Sequence, residues 1–179
     1  FNEKGKSILN QKGELVCVKP FPSMPTKFWN DNKDNKFKQA YFNKYRNIWH
    51  HGDYAKITNN DGLIISGRSD TTLNPGGVRL GTAEIYSEVE RFKEIRESLV
   101  VGQSWDNDVR IILFVILNSN YQLNDNLLKK LKLQIRKNAS PRHVPRKIIQ
   151  IKDIPRTKSG KIVELAVKNI IERNTIKNK

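Results

Sequence analysis

Hydrophobic residues in the first third of the chain fall in short clusters bounded by turn-forming residues, which is the pattern of β-strands. We predict strands at residues 13–18, 53–57 and 63–66, and a short aromatic-rich helix at residues 37–45. The sequence NNDG at residues 59–62 predicts a hairpin turn between the last two strands, because Asn, Asp and Gly tolerate the positive φ of such turns. Three prolines predict an extended loop at residues 19–25.

From residue 82 onward, apolar positions recur at the spacing of amphipathic helices, and these segments alternate with continuous apolar runs. A helix is predicted at residues 82–92, with Thr82 as its N-cap and Glu84 favourably placed in its first turn. Either Asn124 or Asp125 is predicted to cap a second helix, which ends before the prolines that follow residue 140. The remaining predicted elements are a helix at residues 163–171 and strands at residues 98–103, 110–117 and 147–151.

A polar, glycine-rich stretch at residues 67–81 separates these two patterns. We place the domain boundary in this stretch, which gives a β-rich piece at residues 1–69 and a small domain at residues 70–179. The second pattern predicts an α+β fold with helices packed on a mainly antiparallel sheet. The apolar faces predicted for its three helices are Ile85, Val89 and Phe92; Leu127, Leu128, Leu131 and Ile135; and Leu165, Val167, Ile170 and Ile171.

Composition limits the classes of protein that fit this pattern. The 179 residues suffice for one full domain, or for one small domain and a piece of another. The longest apolar run, residues 111–117, is far shorter than the ~20 residues of a spanning helix, so we expect no membrane span. A single cysteine, Cys17, excludes an intramolecular disulfide and a multi-cysteine zinc site. The net charge of +15 indicates either polyanionic partners or a lysine-rich bias of the solvated surface.

Several apparent motifs fail when their spacing is examined. The sequence SGK at residues 159–161 lacks the glycine before it and the Ser or Thr after it that a phosphate-binding P-loop requires. His50, His51 and Cys17 do not predict a metal site, because adjacent side chains on a strand point apart. We predict a structural role for His143, which lies between two prolines, rather than a role as a general base.

Four polar segments remain, and their order is informative. They are WHHGD at residues 49–53, GRSD at residues 67–70, NPGGVRLGTAE at residues 74–84 and IPRTKSGK at residues 154–161. A carboxylate after a glycine turn is suited to accept hydrogen bonds from a ribose diol. A cation on a glycine-flanked loop is suited to stabilise charge that develops on a phosphoryl group.

In this order and spacing the four segments resemble the ANL superfamily of adenylate-forming enzymes, which includes acyl-CoA synthetases, peptide-synthetase adenylation domains and luciferases. The resemblance implies that residues 1–69 end a large AMP-binding domain and that residues 70–179 form the mobile C-terminal domain. It also implies the chemistry: a carboxylate is joined to AMP with ATP and Mg²⁺, and the thiol of CoA then displaces AMP. The small domain swings about a hinge between these two steps.

The resemblance also implies roles for individual residues. Asp53 and Arg68 fall on the positions that hold the ribose hydroxyls, and Asp70 falls on the hinge. Arg79 falls on the arginine that approaches the phosphate. Lys161 falls on the lysine that touches both the α-phosphate and the reacting carboxylate oxygen, and we expect it to be the catalytic residue. No metal ligand is expected in this chain.

Two further positions are implied to contact CoA. Gly77 falls beside the channel for the pantetheine arm, and Arg136 falls on an arginine that contacts a CoA phosphate, although an exposed helix arginine remains an alternative for Arg136. Acetylation of Lys161 by a lysine acetyltransferase, reversed by a deacetylase, would remove its charge and silence adenylation.

Additional segments resemble the branch of the superfamily that activates acetoacetate. They are PFPSMP at residues 20–25, FWND at residues 28–31, AYF at residues 40–42 and SPRHVP at residues 140–145, together with the histidine pair of WHHGD. The resemblance implies that the phosphate loop for ATP, most of the Mg²⁺ site and the acyl pocket lie upstream. We therefore expect this chain to be a piece of a longer, cytoplasmic enzyme and to be inactive in isolation.

Two alternatives remain open at this point. A ligase for acetate or another short acid would differ mainly in an acyl pocket that these residues do not include. A basic nucleic-acid-binding module would require exposed aromatic side chains interleaved with Lys and Arg. The candidate patch for such a module comprises Tyr41, Phe42 and Tyr45 with Lys44 and Arg46. The ligase interpretation predicts neither a nucleic acid nor a membrane as a partner.

Overall fold

The structure is a computed structural model that describes residues 1–173. The chain divides into two compact units, Phe1–Asp70 and Thr71–Lys179. Each unit has its own sheet of three strands.

The first unit is built on an antiparallel sheet with the order β1-β2-β3. Its elements are β1 (Gly13–Cys17), α1 (Asn35–Tyr41), β2 (Trp49–Ile57) and β3 (Leu63–Arg68). The hairpin between β2 and β3 is confirmed, because the Thr58 amide donates to the Gly62 carbonyl and Asp61 has a φ of 54°. Residues 19–25 contain no regular element, as their prolines predict.

The predicted bounds of two elements in this unit differ from the structure by up to four residues, whereas the ends of β1 and β3 differ by one and two residues. The helix spans Asn35–Tyr41 instead of residues 37–45, because the Asp31 carboxylate accepts the Phe37 amide at 2.8 Å and fixes an earlier start. Strand β2 begins at Trp49 instead of residue 53, because Trp49 and His50 already pair with Cys17 and Val16 on β1. Tyr41, the last residue of the helix, packs on this added part of the strand, stacked on Trp49 at 3.7 Å between ring centroids.

The second unit alternates helices with strands. Its elements are α2 (Ala83–Val89), β4 (Ile95–Trp105), β5 (Asp108–Leu117), α3 (Asp125–Asn138), β6 (Lys147–Gln150) and α4 (Glu164–Ile171), with single 3₁₀ turns at Pro75–Gly77 and Pro141–His143. Strands β4 and β5 pair antiparallel in an extended hairpin, whereas β6 runs parallel to β5. The predicted α+β class, with helices on a mainly antiparallel sheet, is confirmed.

The sheet of the second unit buries apolar side chains on both faces, because successive residues of a strand point to opposite sides. One face packs against α2 and α3 through a cluster that includes Ile85, Val100, Leu113, Leu131 and Ile135. The other face carries Leu99, Val101, Ile112, Ile116 and Ile154, on which α4 packs through Val167 and Ile171. The chain that leads into residues 155–161 is therefore anchored by Ile154, which is 1% exposed.

Some details of the predicted helices are wrong. Thr82 lies before α2, but its side chain makes no capping hydrogen bond, because its backbone is already helical at φ −71° and ψ −27°. Helix α2 ends at Val89 rather than residue 92. In α4, Leu165 and Ile170 are exposed, so only part of the predicted apolar face packs on the sheet. For α3 the prediction is confirmed, since the Asn124 side chain accepts the Leu127 amide at 2.9 Å.

Candidate functional site

Three of the predicted site residues lie together at the end of the β2–β3 ladder. Asp53 on β2 is paired in register with Arg68 on β3, and Arg68 Nη1 lies 3.9 Å from Asp53 Oδ1. Arg68 also donates to the carboxylate of Asp70, from Nε at 3.0 Å and from Nη2 at 2.5 Å. The guanidinium therefore lies between two carboxylates, of which Asp53 is the more buried.

A glycine with positive φ allows this close approach. Gly52 has a φ of 85°, and a Cβ built on it would lie 3.1 Å from Arg68 Nη2. Its carbonyl also accepts the amide of Ser69 at 2.9 Å. Gly52 thus lets the backbone of β2 pass beside the guanidinium, which a residue with a side chain would displace.

The two histidines beside Gly52 have different neighbours. His50 Nε2 lies 2.8 Å from the buried carboxylate of Glu14, which also binds Lys44. His51 is about half exposed, and its Nε2 lies 3.4 Å from Asp53 Oδ2. The prediction that these side chains point apart is confirmed. The proximity of His51 to Asp53 was not evident from the sequence.

Gly76 and Gly77 lie in a short loop of the second unit, between the paired residues Leu73 and Leu80. Leu73 and Leu80 exchange two backbone hydrogen bonds at 3.0 and 2.9 Å. Between them, the amide of Gly76 donates to Asp108 Oδ1 at 2.7 Å. Gly77 has a φ of 76°, and a Cβ on it would meet no atom within 4 Å. The loop therefore presents exposed backbone at Gly77.

Backbone hydrogen bonds at the base of this loop shift the pKa of Asp108. Hydrogen bonds from the backbone amides of Val109 and Gly76 lower the pKa of Asp108 from its ordinary value of 3.8. A Cβ on Gly76 would lie 3.2 Å from Arg142 Nη1, so this guanidinium covers the outer side of the glycine. Arg79, the predicted phosphate ligand, is exposed and directly precedes Leu80 in the same loop.

Lys161 closes a tight turn whose backbone is hydrogen-bonded on both sides. The Thr157 amide donates to the Lys161 carbonyl at 2.8 Å, and the Lys161 amide donates to Thr157 Oγ1 at 3.1 Å. Gly160 has a φ of 82°, and its amide donates to the Thr157 carbonyl at 2.9 Å. The Lys161 side chain is exposed. The sequence PRTKSGK thus folds as a defined turn rather than as a loose linker.

A cleft of about 580 Å³ borders this turn, between α2, β4 and the start of α4. Tyr86, Glu97, Arg156, Ile162 and Glu164 are among its lining residues. The Tyr86 hydroxyl donates to Glu164 and accepts the Val100 amide at 2.9 Å. Burial and the neighbouring Glu164 carboxylate raise the pKa of Tyr86 above its ordinary value.

The predicted site residues thus belong to separate parts of the structure. The first unit holds Asp53, Arg68 and Asp70 together. In the second unit, Gly77 and Arg79 share one loop, Lys161 lies on another, and Arg136 lies exposed in the last turn of α3. Sequence reasoning missed Arg156 and Glu97, which contact each other although 59 positions separate them.

His143 has the structural role that its position predicts. It is 8% exposed, and its Nδ1 lies 2.8 Å from Ser140 Oγ. The Ser140 hydroxyl also accepts the Arg142 amide at 3.2 Å. These contacts hold the 3₁₀ turn that follows α3.

The aromatic patch considered for nucleic-acid binding is occupied by internal packing. Tyr45 is 8% exposed and its hydroxyl donates to the Asn2 carbonyl. Tyr41 and Phe42 both pack on Trp49. These rings therefore do not present a stacking surface for bases, and the structure does not favour that alternative.

Within residues 1–173, no group of three or more His, Cys, Asp or Glu side chains is placed to hold a metal ion. No helix in the same range combines the length and the apolar character needed to cross a bilayer.

The family model and the similar proteins of known name point to the same group of enzymes. Residues 84–161 match the family described as AMP-binding enzyme C-terminal domain. The acetoacetyl-coenzyme A synthetase of Rhizobium meliloti (strain 1021) is 54% identical over 179 residues, which are all of this chain and 28% of that protein. The acetoacetyl-CoA synthetase of Xenopus tropicalis is 50% identical over 96% of this chain and 26% of its own length. The chain therefore spans about a quarter of the length of these relatives.

Solved structures agree with this family. The acetoacetyl-CoA synthetase from Streptomyces lividans superposes on 96% of this chain with a TM-score of 0.87 and 42% identity, and the match covers 26% of that protein. An ATP-bound chimera, RpMatB-BxBclM B1, superposes with a TM-score of 0.80 at 22% identity over 96% of this chain and 33% of its own. The second likeness shows the fold alone.

Proposed function

We propose that this chain, whose residues 84–161 match the AMP-binding enzyme C-terminal domain, is the C-terminal part of an AMP-forming ligase that joins acetoacetate to coenzyme A. The observation that carries the proposal is the 54% identity over the whole chain with an acetoacetyl-coenzyme A synthetase. In the proposed reaction, an acetoacetate oxygen attacks the α-phosphorus of ATP and pyrophosphate leaves. The sulfur of CoA then attacks the acyl carbon, and AMP leaves.

The geometry around Arg68 supports a role in binding the ribose of the adenylate. Asp53 is a carboxylate acceptor for hydroxyl groups, and Arg68 is a donor within 3.9 Å of it. A ribose diol has both donors and acceptors, so it can bind to such a pair. Asp70, which accepts a hydrogen bond from the same Arg68 guanidinium, lies at the proposed hinge.

The turn at residues 157–161 supports the proposed catalytic role of Lys161. Transfer of the adenylyl group places additional negative charge on the oxygens around the α-phosphorus. A fixed cation stabilises that charge without the reorganisation that a flexible one would require. The two hydrogen bonds fix the Lys161 backbone, and so they set the point from which its side chain reaches toward the phosphate. Arg79 supplies a second cation for the phosphate.

Other residues of the chain fit the thioester-forming step. The open side of Gly77 lets an extended chain such as the pantetheine arm pass close to the backbone. Arg136 is an exposed cation at the C-terminal end of α3 and can pair with a phosphate of CoA. The proposed partners are thus ATP, acetoacetate and CoA, and no nucleic acid or membrane is required.

Mg²⁺ neutralises charge on the phosphates of ATP when it is bound in enzymes of this kind. The acidic residues described in this chain do not form a cluster suited to a divalent cation. The proposal assigns no Mg²⁺ ligand to residues 1–173 and places most of the Mg²⁺ site in the upstream part of the enzyme.

Lys161 is also a proposed site of regulation by acetylation. Lys161 is exposed on a turn, which is accessible to a lysine acetyltransferase and a deacetylase. Acetylation would replace the cation by a neutral amide and would slow adenylation. We propose a cytoplasmic location for the enzyme.

The test is pyrophosphate exchange into ATP, measured for the complete polypeptide that contains these residues with acetoacetate, acetate and butyrate in turn. The proposal predicts exchange that depends on the acid and is fastest with acetoacetate. Faster exchange with acetate would support the short-acid alternative, and no exchange with any acid would contradict a ligase function.

A chimera separates the contribution of this chain from that of the upstream part. In it, this chain replaces the aligned C-terminal residues of the Rhizobium meliloti relative, with which it is 54% identical. We expect the chimera to form acetoacetyl-CoA, and we expect the same upstream part without any C-terminal residues to fail.

A further inference from the structure

We propose that Glu97 and Arg156 are positioning residues that hold the turn of Lys161 against the sheet. This inference rests on the proposed role of Lys161 in adenylation. It extends that role to Glu97, which lies outside the four sequence segments, and to Arg156, which lies in the fourth segment but has no assigned role there. The evidence is a continuous chain of contacts from strand β4 to the residue before Lys161.

The first link is the guanidinium of Arg156, which has two partners. Nη1 donates to the carbonyl of Gly160 at 2.9 Å, and Nη2 pairs with Glu97 Oε2. A planar guanidinium presents its donors in a fixed fork, so one partner constrains the direction of the other. Gly160 directly precedes Lys161, and the position of its carbonyl sets the start of the Lys161 backbone.

The second link is the turn itself. Its internal hydrogen bonds fix the shape of residues 157–161 but do not connect them to the sheet. Arg156 and Ile162 pair across the base of the turn in an isolated bridge. Within this arrangement, the Arg156–Glu97 pair ties the base of the turn to β4 through charged side chains, in addition to the packing of Ile154 with Leu99 and Val101.

The third link is the rigidity of the base. Glu97 lies on β4, opposite Ile116 of β5. Its neighbours Ser98 and Leu99 are both buried. The backbone of Glu97 is therefore held in place by the sheet, and its carboxylate can hold Arg156 in turn. Its other oxygen, Oε1, lies 3.7 Å from Arg96 Nε, and this second cation further restricts the carboxylate.

An independent anchor holds the chain after the turn. Glu164, in the first turn of α4, accepts a hydrogen bond from the hydroxyl of the partly buried Tyr86. Both anchors line the same cleft as Ile162. The segment that carries Lys161 is thus tied to the domain on both sides, by Arg156 before it and by Glu164 after it.

This arrangement predicts an effect on chemistry larger than its effect on stability. Ion pairs that are one-third exposed contribute little to folding, and Glu97 and Arg156 are 32% and 38% exposed. A displacement of about 1 Å in a catalytic group can nevertheless lower the rate on the order of 10²-fold. Loss of the pair should therefore slow the step that uses Lys161 while the domain stays folded.

The test compares Glu97→Gln and Arg156→Lys with Glu94→Gln in the complete polypeptide. Glu94→Gln removes the same charge three residues away, outside this network. We expect Glu97→Gln to lower the kcat of pyrophosphate exchange at least about 10-fold, with little change in the KM for ATP. Arg156→Lys keeps the positive charge but cannot donate to the Gly160 carbonyl and Glu97 with the fixed geometry of a guanidinium. We expect its rate of pyrophosphate exchange to lie between those of the wild type and Glu97→Gln. Thioester formation from preformed acetoacetyl-adenylate should stay at the wild-type rate in all three variants.

The readouts distinguish positioning from a merely structural role. Wild-type exchange in Glu97→Gln would overturn the inference, and so would an equal loss of both half-reactions. A parallel measurement does not depend on the reaction at all. Trypsin should cleave the 179-residue chain after Lys158 and Lys161 faster in Glu97→Gln than in the wild type or Glu94→Gln.

Equal cleavage rates in the three proteins would also overturn the inference. If the wild-type polypeptide shows no exchange with any acid, the proposed function fails. The cleavage result then still decides whether Glu97 and Arg156 hold the turn.

Discussion

Arg68 donates two hydrogen bonds to the carboxylate of Asp70, from Nε at 3.0 Å and from Nη2 at 2.5 Å. The same guanidinium lies 3.9 Å from Asp53, the other residue proposed to bind the ribose. A nucleotide that binds to Arg68 therefore has to share it with a residue at the proposed hinge. This relationship gives a physical route by which occupation of the nucleotide site and the position of the hinge affect each other.

The sharing of Arg68 predicts the effect of Asp70→Asn on nucleotide affinity. Exposed ion pairs contribute about 0.2–1 kcal/mol, so removal of the competing charge should tighten AMP binding by up to about 5-fold. Isothermal titration of AMP into the complete polypeptide measures this. Asp61→Asn, in the β2–β3 turn, makes the same charge change as a control and should leave the affinity unchanged. Weaker AMP binding in Asp70→Asn would show that Asp70 supports the binding geometry of Arg68 instead of competing for it.

Two glycines with the same backbone strain should affect different half-reactions. Gly77 and Gly160 have φ of 76° and 82°, and a Cβ on either would meet no atom within 4 Å. Alanine at each position costs about 1–2 kcal/mol of local strain. We expect Gly77→Ala to slow thioester formation, because the methyl group narrows the path proposed for pantetheine. Gly160→Ala should slow pyrophosphate exchange, because it moves Lys161.

Each of these variants serves as the control for the other. Rapid mixing of preformed acetoacetyl-adenylate with CoA measures the second half-reaction alone. If both variants slow the same half-reaction, the separate roles assigned to the two loops are wrong.

The low pKa of Asp108 predicts a pH-dependent contribution to stability. Its carboxylate accepts the Val109 and Gly76 amides, and both hydrogen bonds favour the charged form. A pKa that is lower in the folded state than its ordinary value of 3.8 means that the contribution is full above pH 3.8. It is lost as the pH falls through the lower, folded-state pKa.

Urea unfolding of the wild type and of Asp108→Ala at pH 7 and at pH 3 tests this sign. The difference between their midpoints should be larger at pH 7 and should shrink at pH 3. A difference that grows on acidification would show that the carboxylate does not hold the glycine loop.

The fold was predictable where the hydrophobic pattern is continuous. The β4–β5 hairpin and α3 follow from apolar runs that pack on a single sheet, and their predicted ends differ from the structure by a few residues. The short helix α1 was less predictable. Its start depends on a hydrogen bond from the Phe37 amide to Asp31, which no periodicity indicates.

The site was predictable only in its local parts. The turn that carries Lys161 is formed by residues 157–161, so its shape follows from adjacent Thr, Gly and Lys residues. The contact of Arg156 with Glu97 depends on the packing of two distant segments on the sheet. Likewise, the approach of Arg142 to Gly76 could not be read from spacing along the chain.

The proposed enzyme depends most directly on the charge of Lys161. The decisive measurement compares Lys161→Gln with Lys158→Gln in both half-reactions of the complete polypeptide. Both variants remove one positive charge from the same turn, and Gln at residue 161 also imitates an acetylated lysine. We expect Lys161→Gln to lower pyrophosphate exchange by about 10²–10³-fold while thioester formation from acetoacetyl-adenylate continues. Equal exchange rates in the two variants would contradict the assignment of this chain to the adenylating machinery.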